Sequence, residues 1–154
     1  MTSINYEDVY AVFLGYIKDN VFLSKKYAVA EAFMKEWLKK AASKPYTRRI
    51  FSSLTLSDST ESISFELKCP IDDDTDAFFV KDILALGMVV AWLTPEVRNK
   101  VNIAQFFGGK EQKFYSQAAH IEQLQAMLDD ARLEQRKLIR DRGYLFNPYL
   151  SEGS

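Results

Sequence analysis

The chain has 154 residues, the usual size of one domain, and a domain of that length buries enough surface to fold without a disulfide or metal staple. Its net charge of −1 argues against a general nucleic-acid coat, which shows a basic excess, and removes the repulsion that keeps identical chains apart. Hydrophobic residues reach 47% with 11 Phe and 8 Tyr, an aromatic surplus that either thickens a core or decorates an interface.

Met1-Thr2-Ser3-Ile4-Asn5 lacks a basic region followed by an apolar run, so no signal peptide is expected. Asn5 caps a first helix whose acidic start, Glu7 and Asp8, suits the positive end of the helix dipole. Tyr6, Val9, Tyr10, Phe13 and Ile17 fall on one stripe of it. Lys18-Asp19-Asn20 ends it, and Val21-Phe22-Leu23 is a short connector. Ser24 opens a second helix with Val29, Ala30, Phe33, Met34, Trp37, Leu38 and Ala41 on a broad apolar face. Pro45 stops it, because the residue before a proline is pushed out of helical geometry. The short connector predicts that these two helices lie antiparallel.

The period then changes from 3.6 to 2. Ile50, Ser52, Leu54 and Leu56 alternate with Phe51, Ser53 and Thr55; after the turn Ser57-Asp58-Ser59-Thr60, Ile63, Phe65 and Leu67 alternate with polar residues. This predicts a β-hairpin at about 48–69. Two strands alone are marginal in water, so the hairpin packs on the helices or joins strands of another chain. Cys69, which cannot pair within the chain and so fits cytosolic synthesis, stands with Pro70 at its end.

Aspartates 72, 74 and 76 copy the first spacings of a calcium loop, but Ala77 stands where that loop needs glycine and Ile83 where it needs a bidentate Glu. The acidic run is read instead as the capped start of a helix. That helix, 77–93, is apolar almost all round and is expected to be the central core helix. Its unbroken apolar part is shorter than the roughly 20 residues of a membrane span, so no membrane partner is expected. Gly87 within it predicts close approach of a neighbouring element. Thr94-Pro95-Glu96 and Asn102-Ile103-Ala104-Gln105 each look like the capped start of a further short helix, before Gly108-Gly109 breaks the pattern.

From Lys110 a helix of about nine turns, roughly 48 Å, is expected. Phe114, Ile121, Leu124, Leu128, Ala131 and Leu138 form its seam, with Gln117, Gln135 and Arg142 as polar exceptions. Either bundle packing or a coiled coil produces such a seam. Arg132, Arg136 and Arg140 make a self-repelling cationic stripe that an acidic partner would relieve. Gly143 is positioned as a left-handed stop. Residues 144–154 then form an arm in which Tyr144, Leu145, Phe146, Pro148, Tyr149 and Leu150 fold back on the bundle or dock on another subunit.

Candidate chemistry is sparse. His120 stands alone, Cys69 has no nucleophile signature, and Gly108-Gly109-Lys110-Glu111 lacks the residues of a phosphate loop. The expectation is a mainly α helical bundle with a buried central helix, one β-hairpin, a long C-terminal helix and an extended arm. No enzyme activity, cofactor or metal is expected, and the candidate partner-binding residues are the three arginines and the six arm residues.

The stretch Asn102-Ile103-Ala104-Gln105-Phe106-Phe107-Gly108-Gly109-Lys110-Glu111-Gln112-Lys113-Phe114-Tyr115-Ser116 and the ending Ile139-Arg140-Asp141-Arg142-Gly143-Tyr144 resemble small virion structural proteins of tailed bacteriophages, of the head–tail connector or neck type. The resemblance covers about the last two-thirds of the chain as an overall pattern and transfers no functional residue. It implies a non-enzymatic homo-oligomeric ring subunit that contacts other virion proteins such as portal or tail components. Such a subunit is made in the host cytoplasm and ends in the virion, with nucleic acid close only by proximity. The alternative is a cytosolic adaptor or regulatory protein that binds one protein partner through the same surface.

Overall fold

A computed structural model describes residues 1–17, 27–106 and 111–145, with their side chains except those at 27, 28, 100–106, 111–120 and 144. The described elements are β1 (Thr2–Asn5), α1 (Tyr6–Tyr16), α2 (Tyr27–Ser43), the single turn α3 (Pro45–Arg48), β2 (Phe51–Ser57), β3 (Ser62–Leu67), α4 (Asp73–Phe106) and α5 (Glu111–Leu145). The protein is mainly α, with a small antiparallel sheet against the bundle.

The sheet has three strands, not two, in the order β1-β3-β2. β1 lies antiparallel to β3, pairing Ile4 with Ile63, so the hairpin's inner edge is closed from within the chain. Its last residue flows into α1. The Asn5 N–H donates to Asp8 Oδ2 (3.1 Å), and the Tyr6 N–H donates to the carbonyl of Glu61 in the hairpin turn (2.9 Å). Ile63, Phe65 and Leu67 alternate into the core as the period of 2 predicts. In β2 the alternation slips. The register shifts between Phe51 and Ser53, so Phe51 and Leu54 both point inward, as a β-bulge requires.

α4 is the centre of the molecule. Val80, Ile83, Leu84, Ala85, Leu86, Met88, Val89, Trp92 and Leu93 are buried, covered by α1, α2 and α5. α1 contributes Tyr6, Val9, Tyr10 and Phe13, and α2 contributes Ala30, Met34, Leu38 and Ala41. Phe13, Trp37 and Trp92 meet where these three helices join, at ring separations of 5.7 and 6.3 Å from Phe13. Part of the aromatic surplus therefore thickens the core. Val29 and Phe33, expected on the inner face of α2, are exposed at 48% and 39%. The connector between α1 and α2, with Ser24, lies outside the described residues.

Three predicted breaks do not exist. Thr94 and Pro95 lie inside one continuous α4 rather than starting a new helix. Thr94 Oγ1 donates to the Val90 carbonyl (2.7 Å), so it back-bonds within the helix and does not cap one. Leu93 and Val97 are buried on either side of the proline, and their packing offsets the roughly 3 kcal/mol that an interior proline costs. The backbone also stays helical through Asn102 to Phe106, so no second cap operates there. At the other end, Gly143 is an ordinary helical residue, and α5 continues to Leu145. Gly108-Gly109 lies outside the described residues.

Continuity also changes the length of α4. The segment Asp73–Asn99 is long and apolar enough to cross a membrane by length and composition, contrary to the shorter span expected. In this fold 56% of its most apolar stretch is buried by the rest of the chain.

The acidic run does start α4. Asp72 Oδ1 accepts the Thr75 N–H (2.8 Å) and Oδ2 accepts the Thr75 hydroxyl (2.9 Å), while Asp73 accepts the Thr2 hydroxyl (3.0 Å). These bonds hold the Asp72 carboxyl below the usual carboxylate range, the bond from the Thr75 N–H most of all.

Candidate association surface on the long helix

The inner seam of α5 is read as expected at Leu128 and Ala131, which are buried against α4. Ile121, Leu124 and Leu138 are half-buried, and the side chains of Phe114 and Gln117 lie outside the described set. Bundle packing therefore accounts for the described part of the seam. The two remaining polar exceptions are both used. Gln135, 2% exposed, donates its amide to the Ile83 carbonyl (2.8 Å). It reaches that backbone because Gly87, one turn on, has no side chain. A Cβ there would stand 3.2 Å from Gln135 Nε2 and 2.7 Å from Ala41 Cβ.

Arg142 ties the end of α5 to the sheet and to the start of α4. Its Nη2 donates to Asp76 Oδ1 (2.6 Å) and to the Cys69 carbonyl (3.0 Å), and its guanidinium lies 4.6 Å from the centre of the Phe79 ring. Asp76, 4% exposed, also accepts the Ile71 N–H (3.1 Å). This buried charge pair holds the last turns of α5, which is why Gly143 does not end the helix.

Arg132, Arg136 and Arg140 lie on one outward flank of α5, as the four-residue spacing predicts. The fold adds to them. Together with Lys137 they line a groove of about 1090 Å³ whose other side is α3 and the residues after it, namely Tyr46, Arg49 and Ile50. Leu133, 64% exposed, and half-buried Ile139 give the groove apolar surface. Five cations line it and no acid does.

Among the described residues no ion pair within 4 Å engages Arg49, Arg132, Arg136 or Lys137. Arg140 leans on exposed Asp141 at 3.5 Å, and neighbouring Arg48 is tied to the Leu54 carbonyl (3.1 Å). Asp129, a turn before Leu133, accepts the Gln125 amide (3.1 Å). Burial pushes the Tyr46 hydroxyl above its ordinary pKa, while the charges of Arg132 and Arg136 pull it partway back.

The opposite flank of α5 is acidic. A notch of about 410 Å³ has Leu86, Val89 and Met127 in its wall and Asp130, Glu134 and Tyr16 beside them. Burial raises the Tyr16 hydroxyl, and Asp82 and Glu134 raise it further, so both carboxylates lie near this ring. Asp82, one turn before Leu86, is itself raised by burial, with Lys81 opposing.

Of the predicted arm, Tyr144 and Leu145 belong to α5 instead of following it, and Leu145 is exposed at 63%. Phe146, Pro148, Tyr149 and Leu150 lie outside the described residues. Tyr46 and Arg49 were missed because they come from a segment far away in sequence; only the Arg48-Arg49 pair hinted at charge there. Among the described residues no group of three or more His, Cys, Asp and Glu side chains is placed to hold a metal. No family model, curated protein or solved structure matches this chain.

Proposed function

We infer that this protein is a non-catalytic assembly subunit, and that it serves as a ring component of the head–tail connector, or neck, of a tailed bacteriophage. The observation that carries the assembly reading is the groove along α5. It holds four cations with no ion-pair partner among the described residues, beside a largely exposed leucine, on a helix that is anchored by a buried charge pair. Cations left so close together repel one another, so the arrangement costs the isolated chain energy that a partner would return. The sequence resemblance to neck proteins supplies the virion context.

Mass spectrometry of particles purified from cells that carry the gene tests this context. The chain is expected in intact virions at a copy number fixed relative to the portal, and its absence from them overturns the neck reading in favour of an adaptor. The arm is tested separately by measuring the mass of the purified chain, alone and with neighbouring virion proteins, with and without residues 144–154. Truncation is expected to abolish at least one association. Unchanged association would remove the arm from the mechanism.

A further inference from the structure

The two flanks of α5 complement each other. With 3.6 residues per turn, Asp130 and Glu134 point at least about a third of a turn away from Arg132 and Arg136. One copy therefore cannot bring its own two flanks together, but two copies can. The acidic flank carries a notch with an apolar wall, and the cationic flank carries Leu133, 64% exposed, between its arginines. Net charge of −1 leaves no long-range repulsion to prevent the approach.

We propose that the cationic groove of one copy docks on the acidic notch of the next, head to tail, with Leu133 covering exposed Ala126 and half-buried Met127 at the notch. Arg132 and Arg136 then face Asp130 and Glu134 of the neighbour. The two surfaces differ, so the contact is heterologous and each copy keeps one free face. Such a contact repeats until it closes into a ring, or extends as a filament if the rotation does not close. This deepens the assembly reading and rests on it, but it does not depend on the virion context.

The test uses the full chain in sedimentation velocity at low and high salt. The wild type is expected to assemble at low salt and to dissociate as salt screens the charges. Arg132→Gln/Arg136→Gln removes one face, and Asp130→Asn/Glu134→Gln removes the other. Each variant alone is expected to self-associate at least about tenfold more weakly while unfolding at the wild-type temperature, since the changed side chains are on the surface. An equimolar mixture of the two is expected to form heterodimers and nothing larger, because only one intact pair of faces remains.

A wild type that stays monomeric at low salt overturns the proposal. So does a single-face variant that assembles normally, or a mixture that stays monomeric. Assembly that disappears on nuclease treatment would mean that a nucleic acid fills the groove, and would overturn it too. A chain found in virions but monomeric in solution sinks this contact and leaves the neck reading standing. A chain that assembles through these faces but is absent from virions does the reverse.

Discussion

Gly87 stands where α4 faces both α2 and α5, and its missing side chain admits both Ala41 and the Gln135 amide. Gly87→Ala would gain about 1 kcal/mol of helix propensity. It would also force a Cβ to 2.7 Å from that of Ala41, an overpacking of about 1–3 kcal/mol. Net destabilisation is expected in urea unfolding, and Ala41→Gly in the same chain is expected to relieve it non-additively. The close approach was legible, since a glycine inside an apolar helix needs a reason. Arg142 was not, because a polar residue in a seam looks the same whether it meets water or Asp76. Removing the guanidinium in Arg142→Met leaves a buried carboxylate and should cost about 3 kcal/mol, with partial recovery in Asp76→Asn/Arg142→Met. Asp58 offers a pH test. Its carboxylate accepts from Lys39 and from the Tyr6 hydroxyl, bonds that hold its pKa below the ordinary value, Lys39 foremost. A depressed folded pKa gives stability that is present above the unfolded value, about 4, and is lost as pH falls through the lower folded one. The melting temperature of the wild type is therefore expected to fall more steeply than that of Asp58→Asn as pH drops from about 5 toward 3.

At the scale of elements, long periodic segments were legible and their ends were not. The apolar face of α1, the capped start of α4 and the alternation in β3 all follow from spacing alone. β1 did not, because four residues with one inward apolar side chain, Ile4, carry too little pattern to mark a strand. It becomes one only when β3 presents an open edge. Pro95 shows the converse, a local helix-start signal overruled by burial of Leu93 and Val97 within one continuous helix. If packing alone holds the helix through the proline, Pro95→Ala is expected to stabilise the protein by about 1–3 kcal/mol in chemical denaturation, by restoring a helix hydrogen bond. A loss of stability would mean that the proline sets a bend on which the packing depends.

For the whole molecule, the notable fact is the segregation of charge. A chain close to neutral places five cations in one groove and carboxylates on the other flank of the same helix. Cations that serve the fold are costly to remove, as Arg142 should be. Those of the groove should not be: Arg136→Gln is expected to leave monomer stability within about 0.5 kcal/mol of the wild type in thermal unfolding. The sequence by itself determined the fold class, the central apolar helix, the hairpin and the arginine stripe, because side-chain period records which side of an element meets the core. Only tertiary structure decided that α4 runs through Pro95 and α5 through Gly143, since the local penalties, about 3 and about 1 kcal/mol, are offset by contacts distant in sequence: the burial of Leu93 and Val97 and the Arg142–Asp76 pair. It also decided which polar side chains turn inward and which cations share a groove. Those outcomes depend on residues such as Tyr46 and Arg49, which lie far from α5 in the chain and meet it only after folding.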